Sequence, residues 1–234
     1  MPWTNIDLAG KPAERFLPDS GPSRHTIVFL HGYDGVGLTQ NPAFTQEFER
    51  QQLDVICPLG PRCWWSAVIA PTFDPLISPI EFLAREIPAL SERTKFGVCG
   101  IEMGGQGALQ LAYRHARLFP VVAAISPKID FEDWHGHGTS LDDLFPDREA
   151  ARQATATLHI HPLDWPRHQL LLCDAADLYC RDGIEILASK LSSSGIPFES
   201  DFRTTHGGYG WNYANAMAGK VVTYLAEKLT ALNP

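Results

Sequence analysis

The chain has 234 residues, 44% of them hydrophobic, and a formal net charge of −8 at pH 7. This length and apolar share suit one α/β domain, residues 1–234, with a large core. An acidic balance without any run of Lys or Arg excludes an electrostatic grip on nucleic acid or on an anionic membrane surface.

Residues 1–23 are rich in Pro, Gly and Asp and read as an irregular lead-in with at most one edge strand. The start, Met1-Pro2-Trp3-Thr4, has neither the basic nor the apolar stretch of a secretion signal. No segment approaches the ~20 apolar residues of a membrane span, so a soluble, cytoplasmic protein is expected. His25–Leu30 is a β-branched and apolar run, the mark of a buried strand, and it ends in the glycine-rich loop His31-Gly32-Tyr33-Asp34-Gly35. A helix is expected over Asn41–Gln52 and a strand over Leu53–Pro58. The following loop carries Trp64 and Trp65. Either they line a pocket beyond the carboxyl end of the strand, or they pack the loop onto the body.

Ser78–Thr94 shows helical spacing at Ile80, Leu83, Ala84, Ile87 and Leu90 despite Pro88. Lys95–Gln110, KFGVCGIEMGGQGALQ, is the stretch around which the chain is organised. An apolar strand end runs through small residues into a helix-forming run, which is the shape of a nucleophile elbow. The residue lifted to the tip of the turn is Glu102, where the G-x-S-x-G form has serine. Val121–Pro127 reads as another buried strand, and 128–157 as polar and aromatic loops. His135, His137, His159 and His161 in and beyond those loops are spaced for surface positions rather than for a metal. Gln169–Asp174 is the next strand, followed by a loop containing Asp177. Gly183–Ser194 is an amphipathic helix ended by Gly195, Pro197–Arg203 a strand, and Ala214–Leu232 the last helix. Five cysteines, odd in number and without C-x-x-C spacing, are expected as free thiols. Strands alternating with helices predict an α/β fold with a mostly parallel sheet covered on both faces in three layers.

The combination of FLHGYDG, GIEMGGQGALQLAYRHARLFPVVAAISP, the Asp177 loop and GGYGWNY resembles the α/β-hydrolase superfamily. Within it, the pattern is similar to the esterase D-like group that includes S-formylglutathione hydrolases and feruloyl esterases. The resemblance spans residues 25–232. It implies the α/β-hydrolase fold, acyl ester or thioester substrates, no cofactor, and a Ser–His–Asp triad. It also implies that Asp177 matches the triad acid, that His31, Gly32 and Tyr33 match the oxyanion loop, and that the Met103 N–H matches the second oxyanion donor. Glu102 stands at the nucleophile position. Aligning Gly207-Gly208 and Trp211-Asn212-Tyr213 puts Tyr209 where the catalytic histidine is expected, with His206 three residues earlier as the alternative.

A serine at the elbow needs a neutral imidazole to take its proton, and a tyrosine with an ordinary pKa near ~10 does not fill that role at neutral pH. The reading preferred from the sequence is a hydrolase-fold protein without Ser–His chemistry. It would keep a pocket above the sheet for binding a small molecule, scaffolding or regulation, with Trp64, Trp65 and Trp211 among the candidate lining residues. The alternative keeps hydrolysis, with Glu102 as carboxylate nucleophile or general base assisted by His206 and Asp177. A lesser alternative gathers Glu102, Asp177 and His206 into a metal site. The sequence leaves enzymatic activity and a homo-oligomeric state open.

Overall fold

The computed structural model describes residues 3–232. In chain order the elements are β1 (Trp3–Leu8), β2 (Lys11–Phe16), β3 (His25–Leu30), α1 (Pro42–Gln51), β4 (Leu53–Pro58), α2 (Pro79–Glu86), β5 (Gly97–Ile101) and α3 (Met103–Arg114). The second half adds β6 (Val121–Ile125), the short helices α4 (Phe131–Trp134), α5 (Leu141–Leu144) and α6 (Arg148–Gln153), then β7 (His168–Leu172), α7 (Arg181–Ser193), β8 (Glu199–Asp201) and α8 (Trp211–Leu232). The eight strands form one sheet in the order β1-β2-β4-β3-β5-β6-β7-β8. The strands from β4 to β8 run parallel, while β1 and β2 pair antiparallel at one edge.

Parallel strands buried on both faces need apolar residues at successive positions, and β3, β4, β5 and β6 are buried throughout. Alternate residues feed two cores. Val28, Leu30, Ile56, Val98, Val122 and Leu171 pack with α2, α3 and α7 on one face. Ile27, Phe29, Val55, Cys99, Val121 and Ile125 pack with α1 and α8 on the other. Pairing Ile27 with Gly97 and Cys99 with Ala123 sets β3, β5 and β6 level, so their carboxyl ends open on the same side of the sheet.

Local signals fix the helix ends. Asn41 and Ser78 cap α1 and α2 by accepting from Phe44 N at 3.2 Å and Glu81 N at 3.3 Å, each with proline at the first helical position. The helix expected over Ser78–Thr94 stops at Glu86 and passes into a 3₁₀ turn at Pro88–Leu90. Pro88 has no N–H to donate and crowds the carbonyl four residues back. Residues 3–16 correct the expectation of an irregular lead-in, because β1 and β2 form a hairpin that extends the sheet. Its strands are short, polar and partly exposed, which hides them in the sequence. Met1 and Pro2 lie outside the described residues.

All five cysteines are free and buried, and desolvation pushes the Cys63 thiol up to about 12. No helix among the described residues is long and apolar enough to cross a membrane.

Candidate functional site

The elbow forms where the glycines require it. Glu102, between β5 and α3, has φ 57° and ψ −115°, a left-handed conformation that costs a residue with a Cβ about 1–3 kcal/mol. A Cβ at Gly104 would overlap the Leu30 carbonyl, so the start of α3 lies directly against the end of β3. The turn is tied down by Glu102 N donating to Ile125 O at 2.9 Å and by the Glu102 carbonyl, which accepts from Gln106 N at 3.1 Å and Lys128 N at 3.2 Å.

The Glu102 carboxylate is held at both oxygens. Oε2 accepts the Tyr33 backbone N–H at 2.9 Å, and Oε1 lies 2.7 Å from the Lys128 ammonium. Both side chains of this pair are only 12% exposed. Lys128 follows the carboxyl end of β6, the neighbour of the elbow strand, and its Nζ sits 4.1 Å from the centre of the Trp134 ring and 5.2 Å from that of Tyr209. The ammonium is thus wrapped by one carboxylate and two aromatic faces, which hold it against the elbow. Lys128 was not among the residues picked out from the sequence. A lysine placed just beyond a strand end, beside an elbow acid, is the signal that could have found it.

The loop after β3, His31-Gly32-Tyr33, lies against the turn at Glu102. His31 is 2% exposed; its Nδ1 lies 2.8 Å from Gly32 O and its Nε2 accepts from Gly60 N at 3.1 Å. This network assigns a neutral ring with the proton on Nδ1, and burial holds its pKa below the ordinary value. Arg62 stacks 4.5 Å from the Tyr33 ring and donates from Nε to Tyr33 O at 3.0 Å, while the Tyr33 hydroxyl accepts from Ser140 N at 3.1 Å. These contacts fix the strip of backbone whose N–H meets Glu102. Met103 is the first residue of α3, next to the elbow, and is fully buried.

Above the elbow lies a cavity of about 420 Å³ lined by Tyr33, Arg62, Glu102, Tyr209 and Trp211, among others. Tyr209 therefore stands at the wall of this cavity beside Glu102, its ring edge-on to Tyr179 at 5.4 Å. Trp211 is anchored by Nε1 donating to Asp34 Oδ2 at 2.7 Å. Trp64 and Trp65 are completely buried and line no cavity with Glu102. Trp64 packs on Tyr33 and Phe131, and Trp65 on His31 and Phe73, with its Nε1 donating to His31 O at 3.1 Å. Of the two uses considered for these tryptophans, packing the loop is the one found. Trp134 and Tyr179 line a second cavity of about 460 Å³.

His206 and Asp177 do not join into a relay. The Asp177 carboxylate is 98% buried and accepts from Tyr179 N at 2.8 Å and Cys180 N at 3.0 Å, with the Cys173 thiol 3.7 Å away. Among the described residues neither of its oxygens meets an imidazole. His206 is exposed and is held through its backbone N–H, which donates to Asp174 at 2.5 Å. The metal grouping of Glu102, Asp177 and His206 is accordingly not assembled. Lys128 occupies one oxygen of Glu102, backbone donors occupy Asp177, and among the described residues no three His, Cys, Asp or Glu side chains are placed to hold an ion. Two of the loop histidines serve as ties instead, with His135 Nε2 3.0 Å from Phe145 O and His159 Nε2 3.0 Å from Gln153 O.

No family model and no curated protein matches the chain in sequence. Its fold is similar to that of an S-formylglutathione hydrolase from Agrobacterium tumefaciens, with a TM-score of 0.78 at 14% identity over 97% of this chain and 94% of that one. It is also similar to a fluorophosphonate-binding serine hydrolase from Staphylococcus aureus, with a TM-score of 0.76 at 14% identity over 97% and 99% of the two chains. A ferulic acid esterase matches with a TM-score of 0.74 at 14% identity over 96% and 97%. The chain has the α/β-hydrolase fold, in the arrangement found among esterases.

Proposed function

We propose that this chain is an esterase-type α/β-hydrolase-fold protein in which Glu102 and Tyr209 replace the Ser–His pair, and that it binds a small ligand above the elbow without hydrolysing esters. The observation that carries this reading is the Glu102 carboxylate itself, fastened between the Tyr33 N–H and the Lys128 ammonium. Acyl transfer needs an oxyanion site whose donors are free to receive a carbonyl oxygen as it gains negative charge. Here the Tyr33 donor is taken by a carboxylate oxygen that would repel such a charge. The same carboxylate is a poor nucleophile, since whichever oxygen attacks an ester must give up the donor that now holds it.

Tyr209 lines the cavity beside Glu102, and a phenol has no ring nitrogen with which to take a proton as an imidazole does. The hydrolytic alternative shares the fold of the similar esterases, but it needs the exposed His206 ring to turn inward and Lys128 to release Glu102. What remains is a cavity of about 420 Å³ that presents Tyr209, Trp211 and the Arg62 guanidinium around a neutralised ion pair. This size and mixture of aromatic and polar groups suit a small organic ligand.

The test pairs two assays. Short-chain p-nitrophenyl esters and thioesters are offered to the wild type, to Glu102→Ser and to Glu102→Ser/Tyr209→His, and a small-molecule library is screened for thermal stabilisation of the wild type. The expected result is a silent wild type that some compounds stabilise without product, and a double variant with measurable turnover. Turnover by the wild type at rates above the spontaneous reaction contradicts the proposal.

A further inference from the structure

The opposite end of the sheet holds a second unusual environment. Strands of five or six residues put the amino ends of β3, β4 and β5 roughly 17 Å from the elbow end. A cavity of about 710 Å³ opens there, and its wall includes Arg15, Arg24, His25, Asp54, Arg93 and Lys95. Four permanent cations thus face two carboxylates, Asp54 and Glu92, in a chain whose net charge is −8.

The balance is less even than that count. Asp54 is fully committed, because it accepts Arg15 Nε and Nη2 at 2.9 Å each and the Thr26 hydroxyl at 3.1 Å. The other three cations are held by neutral groups. Arg24 Nε donates to Gln52 Oε1 at 2.9 Å, Arg93 Nη2 to Ser23 O at 2.5 Å, and Lys95 Nζ to Leu232 O at 2.9 Å. Among the described residues none of the three makes an ion pair. Each is steered by one anchor while further N–H donors stay unspent, which is the preorganised condition that favours anion capture.

His25 reports the same positive field. It is buried at the start of β3, with Nε2 2.8 Å from the Thr230 hydroxyl, which itself donates to Ala226 O. Burial first, then the charges of Arg93 and Arg24, push the imidazole below its ordinary pKa.

We propose that this cavity binds a small molecule bearing phosphate groups, gripped by the guanidinium groups of Arg24 and Arg93 and by the Lys95 ammonium. Phosphate oxygens accept from several donors at once and match the planar fork of arginine. A polyvalent anion would neutralise cations that make no ion pair among the described residues. The site is separate from the Glu102 cavity and independent of its function.

Isothermal titration with pyrophosphate at fixed ionic strength tests the assignment, using wild type, Arg24→Gln/Arg93→Gln, Lys95→Gln and Glu102→Gln. The expected outcome is one saturable equivalent on the wild type and on Glu102→Gln. Binding should weaken about tenfold or more in the double arginine variant and about threefold or more in Lys95→Gln, with circular dichroism unchanged. Citrate at the same ionic strength should bind at least about tenfold more weakly than pyrophosphate. Absence of saturable heat from the wild type, or equal affinity in all variants, overturns the site. Equal affinity for citrate overturns the choice of phosphate.

Discussion

Lys128 is the residue on which the elbow depends. Glu102 and Lys128 lie 2.7 Å apart and are each 12% exposed, so the pair is desolvated enough for its loss to be felt but retains some access to water. Lys128→Met leaves the carboxylate with a single backbone donor and should destabilise the fold by about 1–3 kcal/mol, below the upper range for fully buried pairs. Glu102→Gln/Lys128→Met removes both charges and should recover at least half of that loss in urea unfolding. A single variant as stable as the wild type would mean that the pair contributes nothing. The sharp strand-to-helix turn at Glu102 was legible from Gly100, Gly104 and Gly105, because only small residues permit the close approach of strand and helix. Lys128 was harder to read, because its proximity to Glu102 comes from the pairing of β5 with β6 and not from nearness in the chain.

At the scale of elements, the loops after β7 and β8 are stitched together by Asp174. Its carboxylate accepts from Ala176 N at 2.8 Å, the Thr205 hydroxyl at 2.7 Å, His206 N at 2.5 Å and Gly208 N at 3.0 Å. This network explains why His206 is turned outward while Tyr209 reaches the cavity, and Asp174→Ala should cost about 2–4 kcal/mol by orphaning several donors at once. Against the cost of burial, these donors hold Asp174 below the ordinary carboxylate value, and Asp201 is held well below it by Lys220 and then by Thr204 and Arg203. Both folded pKa values are depressed relative to about 3.9 in the unfolded chain. Their stabilisation is therefore complete above about pH 4 and drains as pH falls further through the folded values. Acid titration of wild type and Asp174→Asn should show a shallower loss of stability below pH 4 in the variant; identical slopes would contradict this assignment. Sequence reasoning placed strand and loop here but could not choose between His206 and Tyr209. The outward position of His206 is set by a carboxylate in the loop after β7, 32 residues away.

For the molecule as a whole, the parallel strands were legible in outline, because uninterrupted apolar runs such as HTIVFL and LDVICP are readable as buried strands. The β1–β2 hairpin escaped because an edge exposed on one side needs little apolar patterning. Trp64 and Trp65 show the limit of reading side chains from loop position. Both have positive φ and are folded back beneath the oxyanion loop as core. The sheet then presents two chemically different ends, with an ion-paired carboxylate at the carboxyl ends of the strands and a cluster of guanidinium groups at their amino ends. The central claim concerns the first of these, that Glu102 is locked in place and does not react. The most direct measurement compares ester and thioester turnover by the wild type and by Glu102→Gln at saturating substrate. Rates that match the spontaneous reaction in both proteins are predicted. Turnover by the wild type that disappears in Glu102→Gln would establish Glu102 as a catalytic carboxylate and contradict the account.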